Sequence, residues 1–158
     1  MIVRPATPAD VPAIHALLKE FGAHGGNPDW VRVSLDQLHA IFFGPTAWCA
    51  AHVAERGGGL AGMALWFLNF NFGLGRPGLY LEDLFVTAEA RDAGVGEALM
   101  RALAAEAVRR DCVWMDWMVL TDNVGAQRFY ARLGAAEQDE WRLWRLEGQA
   151  LTDLAGEI

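Results

Sequence analysis

The sequence predicts an α/β domain in which a mixed sheet carries helices on both faces. Strand-like runs come early and adjacent, joined by short turns, whereas strand and helix alternate in the second half. Hairpins make antiparallel neighbours, and strand–helix–strand units lay helices over a sheet. A chain of 158 residues, 53% of them hydrophobic, suits one sizeable core. One domain is therefore expected over residues 1–151, with a loose tail at 152–158.

Residues 2–6 read as the first strand. Thr7 then caps a helix, with Pro8 at its first position and Asp10 in its first turn, where a negative charge suits the helix dipole. Val11, Ile14, Leu17, Leu18 and Phe21 recur at helical spacing, and Gly22 with Gly25, Gly26, Asn27 and Pro28 ends the run. Ser34 caps a second short helix carrying Leu35, Leu38, Ile41 and Phe42. Residues 47–54 and 60–68 read as strands, joined by Gly57, Gly58 and Gly59. A loop rich in Gly, Asn and Phe follows at 69–78, then a strand at 79–86. From about Gly94 to Arg110 a helix bears Val95, Ala98, Leu99, Ala102 and Leu103 as its apolar stripe. Residues 112–120 are almost continuously apolar, as expected of a strand covered on both faces. A short helix at 123–133 and a last strand at 142–146 complete the order β-α-α-β-β-β-α-β-α-β.

The formal charge of −7 disfavours nucleic-acid backbones and anionic membranes as partners. No apolar run is long enough to span a bilayer and no basic-then-apolar leader begins the chain, so a cytoplasmic protein is expected. Cys49 and Cys112 lie in apolar runs and are expected to be reduced and buried. His15, His24, His39 and His52 lack metal-ligand spacing, and no metal is expected.

The chemistry is concentrated in the strand at 79–86 and the turn Arg91, Asp92, Ala93, Gly94, Val95, Gly96. A strand feeding a glycine-bearing turn at a helix start makes an anion site. Unpaired amides point outward there, and the dipole adds partial positive charge. Gly94 and Gly96 let oxygens approach the backbone, and Arg91 adds a charged donor. No Gly-Lys-Ser/Thr follows, so this is not a nucleotide-triphosphate loop, and Leu99 occupies the third glycine position of a dinucleotide fingerprint. Alone, the pattern is also compatible with an ordinary helix-capping turn.

With its surroundings the chain resembles the GNAT superfamily of acetyltransferases, and within it the diamine (spermidine/spermine) branch. The resemblance rests on Val3 to Thr7 with Asp10, on Tyr80-Leu-Glu-Asp83, on Phe85-Val86 and on the Arg91 to Gly96 turn. Phe129-Tyr130 with Gly134-Ala135, and Trp141-Arg142-Leu143, extend it toward the end of the chain. It implies a mostly antiparallel central sheet, acetyl-CoA as co-substrate, a small cationic amine as acceptor, and a homodimer. Main-chain groups of Leu84, Phe85 and Val86 would hold the pantetheine arm. Asp92, Ala93, Gly94, Val95, Gly96 and Glu97 would bind the pyrophosphate beside Arg91, and Asn123 and Ala126 would also touch the coenzyme. Tyr130 matches the family's general acid, poised to protonate the departing thiolate. Glu82 stands at the acidic position and is the candidate base.

An amine attacks a thioester only as its free base, yet an alkylammonium is mostly protonated at neutral pH. A carboxylate to receive its proton and a donor for the oxyanion are therefore required, and a backbone N–H near Val86 is the candidate donor. Strand alternation puts Glu82 on one face with Tyr80 and Leu84, and Asp83 on the other with Leu81 and Phe85. Glu82, Asp83, Asp116, Trp117, Met118 and His24 are the candidate substrate contacts. Asp116 either faces substrate or is buried with a partner. Phe67, Phe70 and Phe72 either line the amine pocket or pack. Trp114, Trp117, Trp141 and Trp144 belong to the core or to a dimer interface.

Two departures from the family's pattern limit these expectations. Asp92 and Ala93 replace the turn's usual glycine and polar residue, which suggests modest coenzyme affinity. Beyond the first helix, His24-Gly25 replace an aromatic–acidic pair and only Asp29 remains of an acidic cluster. A short amine is thereby favoured over a long polyamine. The competing functions are an inactive acyl-CoA-binding regulatory module and an acetyltransferase for a protein N-terminus or an aminoglycoside.

Overall fold

The computed structural model describes residues 1–156. The chain divides into two compact units, Met1–Met118 and Val119–Ile158. In the first, β1 (Ile2–Pro5), β2 (Ala50–Arg56), β3 (Gly59–Asn71), β4 (Arg76–Val86) and β5 (Met115–Asp116) form a sheet in the order β1-β2-β3-β4-β5. Every neighbouring pair is antiparallel except β4–β5, which is parallel. This is the mixed, mostly antiparallel sheet expected.

Helices α1 (Val11–His24) and α2 (Leu35–Phe43) cover one face. Their Val11, Ile14, Leu17, Leu18, Leu38 and Phe42 pack with Val53, Met63, Leu65 and Phe85 in one core. Helix α3 (Val95–Arg109) covers the other, close enough that a Cβ on Gly62 would meet Val95 and Leu99. Ile14, Val53, Met63, Leu79, Leu81, Val95, Leu99 and Leu103 are fully buried, each side chain stabilising the fold by roughly 1.5–3 kcal/mol against exposure.

Local rules account for the ends of these elements. Gly57 and Gly58 both have positive φ (64° and 86°), as a two-residue hairpin turn matching the strand twist requires. Ser34 and Gln37 form a reciprocal capping box at α2. The start of α1 differs from expectation. Pro8–Asp10 form a 3₁₀ turn, and Thr7 is held by Asp10 rather than capping through its own oxygen. Asp10 Oδ2 accepts from the Thr7 N–H at 2.7 Å and from its hydroxyl at 2.8 Å. Arg4 grips both oxygens of Asp10, at 2.7 and 2.9 Å, and also Glu55.

Three expected elements change. The loop at 69–78 shrinks to a hairpin tip, since β3 runs on to Asn71 and β4 starts at Arg76. At its base, Trp114 Nε1 and Asn69 Oδ1 are buried over Gly78, where no Cβ would fit. The strand at 112–120 is reduced to Met115–Asp116. Backbone bonds from Val113 to Pro77 and from Leu79 to Trp114 hold its start. Beyond Asp116 there is no ladder partner among the described residues, and apolar sequence alone cannot pair a strand. Cys49 and Cys112 are free thiols but half-buried rather than buried.

In the second unit, α4 (Val124–Arg132) and α5 (Gly148–Ala155) are the regular elements among the described residues. The strand expected at 142–146 is absent there, because those residues find no ladder partner. Thr152 to Ala155 are helical rather than a loose tail, and 157–158 lie outside the described residues. Among the described residues no helix is long and apolar enough to cross a membrane.

Candidate active site

Strand β4 organises the candidate site through a break in its register with β3. Tyr80 pairs with Phe67 and Leu81 with Trp66, but Leu65 pairs with Asp83. Glu82 is therefore an extra residue, a β-bulge, and the strand changes face across it. Before the bulge, Tyr80 lies on the α1 side and Leu81 on the α3 side. After it, Asp83 and Phe85 lie on the α1 side with Leu65 and Met63, and Leu84 on the α3 side with Ala64. Simple alternation is thus corrected: Asp83 shares a face with Tyr80, not with Leu81. Asp116 of β5 pairs with Tyr80 and joins the same face.

Asp83 and Asp116 make this face acidic, Glu82 in the bulge is close enough for its charge to act on Asp83, and Tyr80 on the same face packs against Phe67 with ring centroids 5.0 Å apart. Among the described residues none of the three carboxylates pairs with Lys, Arg or His. The acids are spaced, and among the described residues no three His, Cys, Asp or Glu gather closely enough to share a metal ion. Burial, reinforced by the charge of Glu82, pushes the Asp83 carboxyl up to about 6. Burial raises Asp116 too. Burial, with the charges of Glu82 and Asp116, raises Tyr80, and burial with Glu82 and Asp83 raises the Cys49 thiol. A carboxylate near 6 is ionised at neutral pH and is a stronger proton acceptor than an ordinary aspartate.

The far edge of β4 is open. Its ladder with β5 stops at Tyr80–Asp116, so among the described residues Leu84, Phe85 and Val86 have no strand beyond them. Past Val86 a 3₁₀ turn (Ala88–Ala90) leads to Arg91, Asp92, Ala93 and Gly94, all exposed. Asp92 and Gly94 have φ of 59° and 76°, and the first turn of α3 receives no side-chain cap. Its amides are therefore available to an anion. Nothing lies within 4 Å of the position a Gly94 Cβ would take, so an anion has room at this turn. Glu97 pairs along the helix with Arg101.

The remaining candidates separate. His24 is exposed in the last turn of α1, and Met118 is exposed past β5 beside half-buried Trp117. Phe70 and Phe72 meet edge to face, ring centroids 5.2 Å apart, and are both exposed at the hairpin tip. In the second unit Asn123 caps α4, its Oδ1 accepting the Ala126 N–H at 3.1 Å. Gln127, not singled out in the sequence, donates to the carbonyls of Leu120 and Thr121 and fixes that cap. Tyr130 lies against Phe129 at 5.1 Å, and burial pushes its phenol up to about 12, so it stays protonated at neutral pH. Sequence reasoning did not place Cys49 near the acids, nor Asp83 on the face of Tyr80, because the bulge leaves no mark in composition.

A bulged strand with an unpaired edge runs into an uncapped helix start, so a site suited to an anion follows an acidic face suited to a cation. The chain belongs to the acetyltransferase (GNAT) family, whose profile matches residues 11–135. It is 30% identical to a thialysine N-epsilon-acetyltransferase of Bos taurus, over 99% of this chain and 98% of that one. An L-ornithine N5-acetyltransferase of Arabidopsis thaliana is 40% identical over 58% of this chain and 40% of its own length. An integron cassette protein from the mobile metagenome of V. cholerae shares the fold, with TM-score 0.85 and 24% identity over 99% of this chain and 98% of that one. The chain is accordingly an acyltransferase of the family's diamine branch.

Proposed function

We propose that this enzyme transfers the acetyl group of acetyl-CoA to a short cationic amine, such as a diamine or a lysine-like amino acid. One observation carries the reading: Asp83 and Asp116 share one face and Glu82 sits in the adjoining bulge, none with a cationic partner among the described residues, on and beside a strand whose edge is unpaired past Tyr80. Relatives named for thialysine and ornithine support it, since both compounds are short amino acids with a terminal ammonium.

Acetyl-CoA enters as a substrate. Main-chain groups of Leu84, Phe85 and Val86 hold its pantetheine arm, and amides from Asp92 to Glu97, with Arg91, hold its diphosphate. Asn123 and Ala126 complete this set. The Asp92 carboxylate opposes a polyanion and keeps affinity modest. The acceptor arrives as an ammonium and gives one proton to a carboxylate. Its nitrogen lone pair then attacks the thioester carbon, forming the C–N bond, while an N–H near Val86 meets the oxyanion. The C–S bond breaks, the Tyr130 hydroxyl gives the thiolate a proton, and the nitrogen's surplus proton returns through solvent to Tyr130. The acyl donor is already activated, so positioning supplies much of the acceleration.

The test is release of free thiol from acetyl-CoA across diamines, polyamines, amino acids and aminoglycosides. Turnover is expected with short diamines or ω-amino acids and is expected to be weaker with spermine. Binding of acetyl-CoA with no amine-dependent thiol release would make the chain a coenzyme-binding module instead.

A further inference from the structure

We infer that the cavity at the C-terminal end of α3 is a second ligand site, built for a small carboxylate with a compact apolar body, such as a benzoate-like acid. The cavity measures about 340 Å³, and its walls include His52 of β2, Trp66 of β3, Phe42 of α2, and Glu106, Arg109 and Arg110 at the end of α3. Its volume falls at the small end of ligand pockets. None of Glu82, Asp83 and Asp116 lines it. Helix α3 has 15 residues, so this end lies about 20 Å from the turn assigned above to the diphosphate.

The side-chain groups left free at this cavity are donors. His52 is only 6% exposed. Its Nδ1 accepts from the Trp66 indole N–H at 3.1 Å, which puts the ring's own proton on Nε2. Burial lowers the imidazole below its usual range, with Arg110 adding to this and Glu106 opposing it, so the ring is neutral at pH 7. Among the described residues Nε2 has no hydrogen-bond partner, yet it is not sealed from solvent, and the cavity is the space that His52 lines.

The acceptors at this end are already used. Arg109 donates to Glu106 Oε2 at 2.8 Å and to Oε1 at 2.6 Å, and Arg110 donates to Oε1 at 2.6 Å. The carbonyls of Glu106, Ala107 and Val108, at the negative end of the helix, accept from the N–H groups of Arg110, Cys112 and Asp111. Arg110 reaches Glu106 through Nε, so its two terminal nitrogens are unpaired among the described residues, and its guanidinium lies 5.1 Å over the Trp66 ring. Two arginines against one glutamate leave positive charge in excess. An occupant must therefore bring acceptors and a negative charge. An inorganic anion would leave the aromatic walls uncovered. A carboxylate received by Arg110 and His52, with its apolar body against Phe42 and Trp66, meets each of these demands.

The test is calorimetric titration of the full chain at pH 7 with sodium benzoate, benzamide and benzylamine, in wild type, Arg110→Gln and His52→Phe. Benzoate is expected to bind wild type with a Kd of about 1 mM or below. Benzamide lacks the charge and benzylamine reverses it, so both are expected to bind at least ~10-fold more weakly. Arg110→Gln is expected to weaken benzoate ~10-fold or more. His52→Phe removes the Nε2 donor and is expected to weaken it as well. Should the loss of the Trp66 partner unfold that variant, Arg110→Gln decides alone, since Arg110 sits partly exposed past the end of the helix. An unchanged Kd in Arg110→Gln places benzoate elsewhere and overturns the site. Equal binding of the three probes, or no binding of benzoate by about 10 mM, overturns it too and leaves water as the occupant. No arm requires turnover, so failure here leaves the acetyl-transfer reading untouched.

Discussion

At the scale of single residues, two aspartates pull stability in opposite directions with pH. Arg4 and the Thr7 N–H and hydroxyl hold the Asp10 carboxyl below the ordinary carboxylate range. The unfolded chain, with an aspartate near 3.9, therefore takes up its proton first as the solution is acidified. The stability Asp10 supplies is present above pH ~4 and is lost as pH falls below it. Asp10→Asn is expected to lower the unfolding free energy at pH 7 by about 1 kcal/mol, a charge-assisted bond discounted because Arg4 is partly exposed to solvent. Urea melts at pH 7 and pH 3 should show that difference shrinking at the lower pH. Asp83 has the reverse sign. With a folded value of about 6 it holds its proton after the unfolded chain has lost one, so its ionisation costs stability as pH rises from ~4 through 6. A buried carboxylate that weakens its own fold is the kind of local conflict found where a residue serves chemistry.

At the scale of elements, the helices were the most legible. Val11 to Leu18 and Val95 to Leu103 recur with helical spacing, and Ser34 with Gln37 announces α2. The strands were legible in existence but not in extent. Val113 to Val119 carry enough apolar surface for a long strand, yet pairing depends on a neighbour, and β4 offers β5 two positions. The bulge at Glu82 was illegible, because one inserted residue changes neither composition nor average period while it moves Asp83 to the face of Tyr80. Of the site, the turn before α3 was plainest: Gly94 adopts the left-handed conformation its place in the motif suggests. With open space around it, alanine there would meet backbone strain rather than a clash, costing about 1 kcal/mol. Gly94→Ala is expected to raise the acetyl-CoA KM several-fold and to leave the amine KM unchanged. A change confined to the amine KM would assign the turn to the acceptor.

At the scale of the whole molecule, the second unit carries two of its aromatic residues on the outside, while Phe129 and Tyr130 are half-buried. Trp141 and Trp144 are 79% and 90% exposed, with Leu143 at 68% between them. Exposed tryptophans grouped this way suit burial between subunits. A homodimer, as the family resemblance implies, would give them a place. Sedimentation at micromolar concentration is expected to return twice the 17.3 kDa chain mass, and Trp144→Glu to return the single mass. A wild-type monomer would leave those residues unexplained by self-association. The net charge of −7 matches the sign of the acidic face and would draw cationic acceptors toward the enzyme most strongly in dilute salt.

The half-buried thiol beside the carboxylates bears on how such an enzyme would survive its own product. Each cycle would liberate a free sulfhydryl, and a neighbouring cysteine is exposed to mixed-disulfide formation whenever that product becomes oxidised. Exchange runs through the thiolate, and burial together with the charges of Glu82 and Asp83 suppresses that form of Cys49. The acids proposed to receive an amine would thus also passivate the neighbouring sulfur, and the chain can keep a cysteine there without becoming a redox trap.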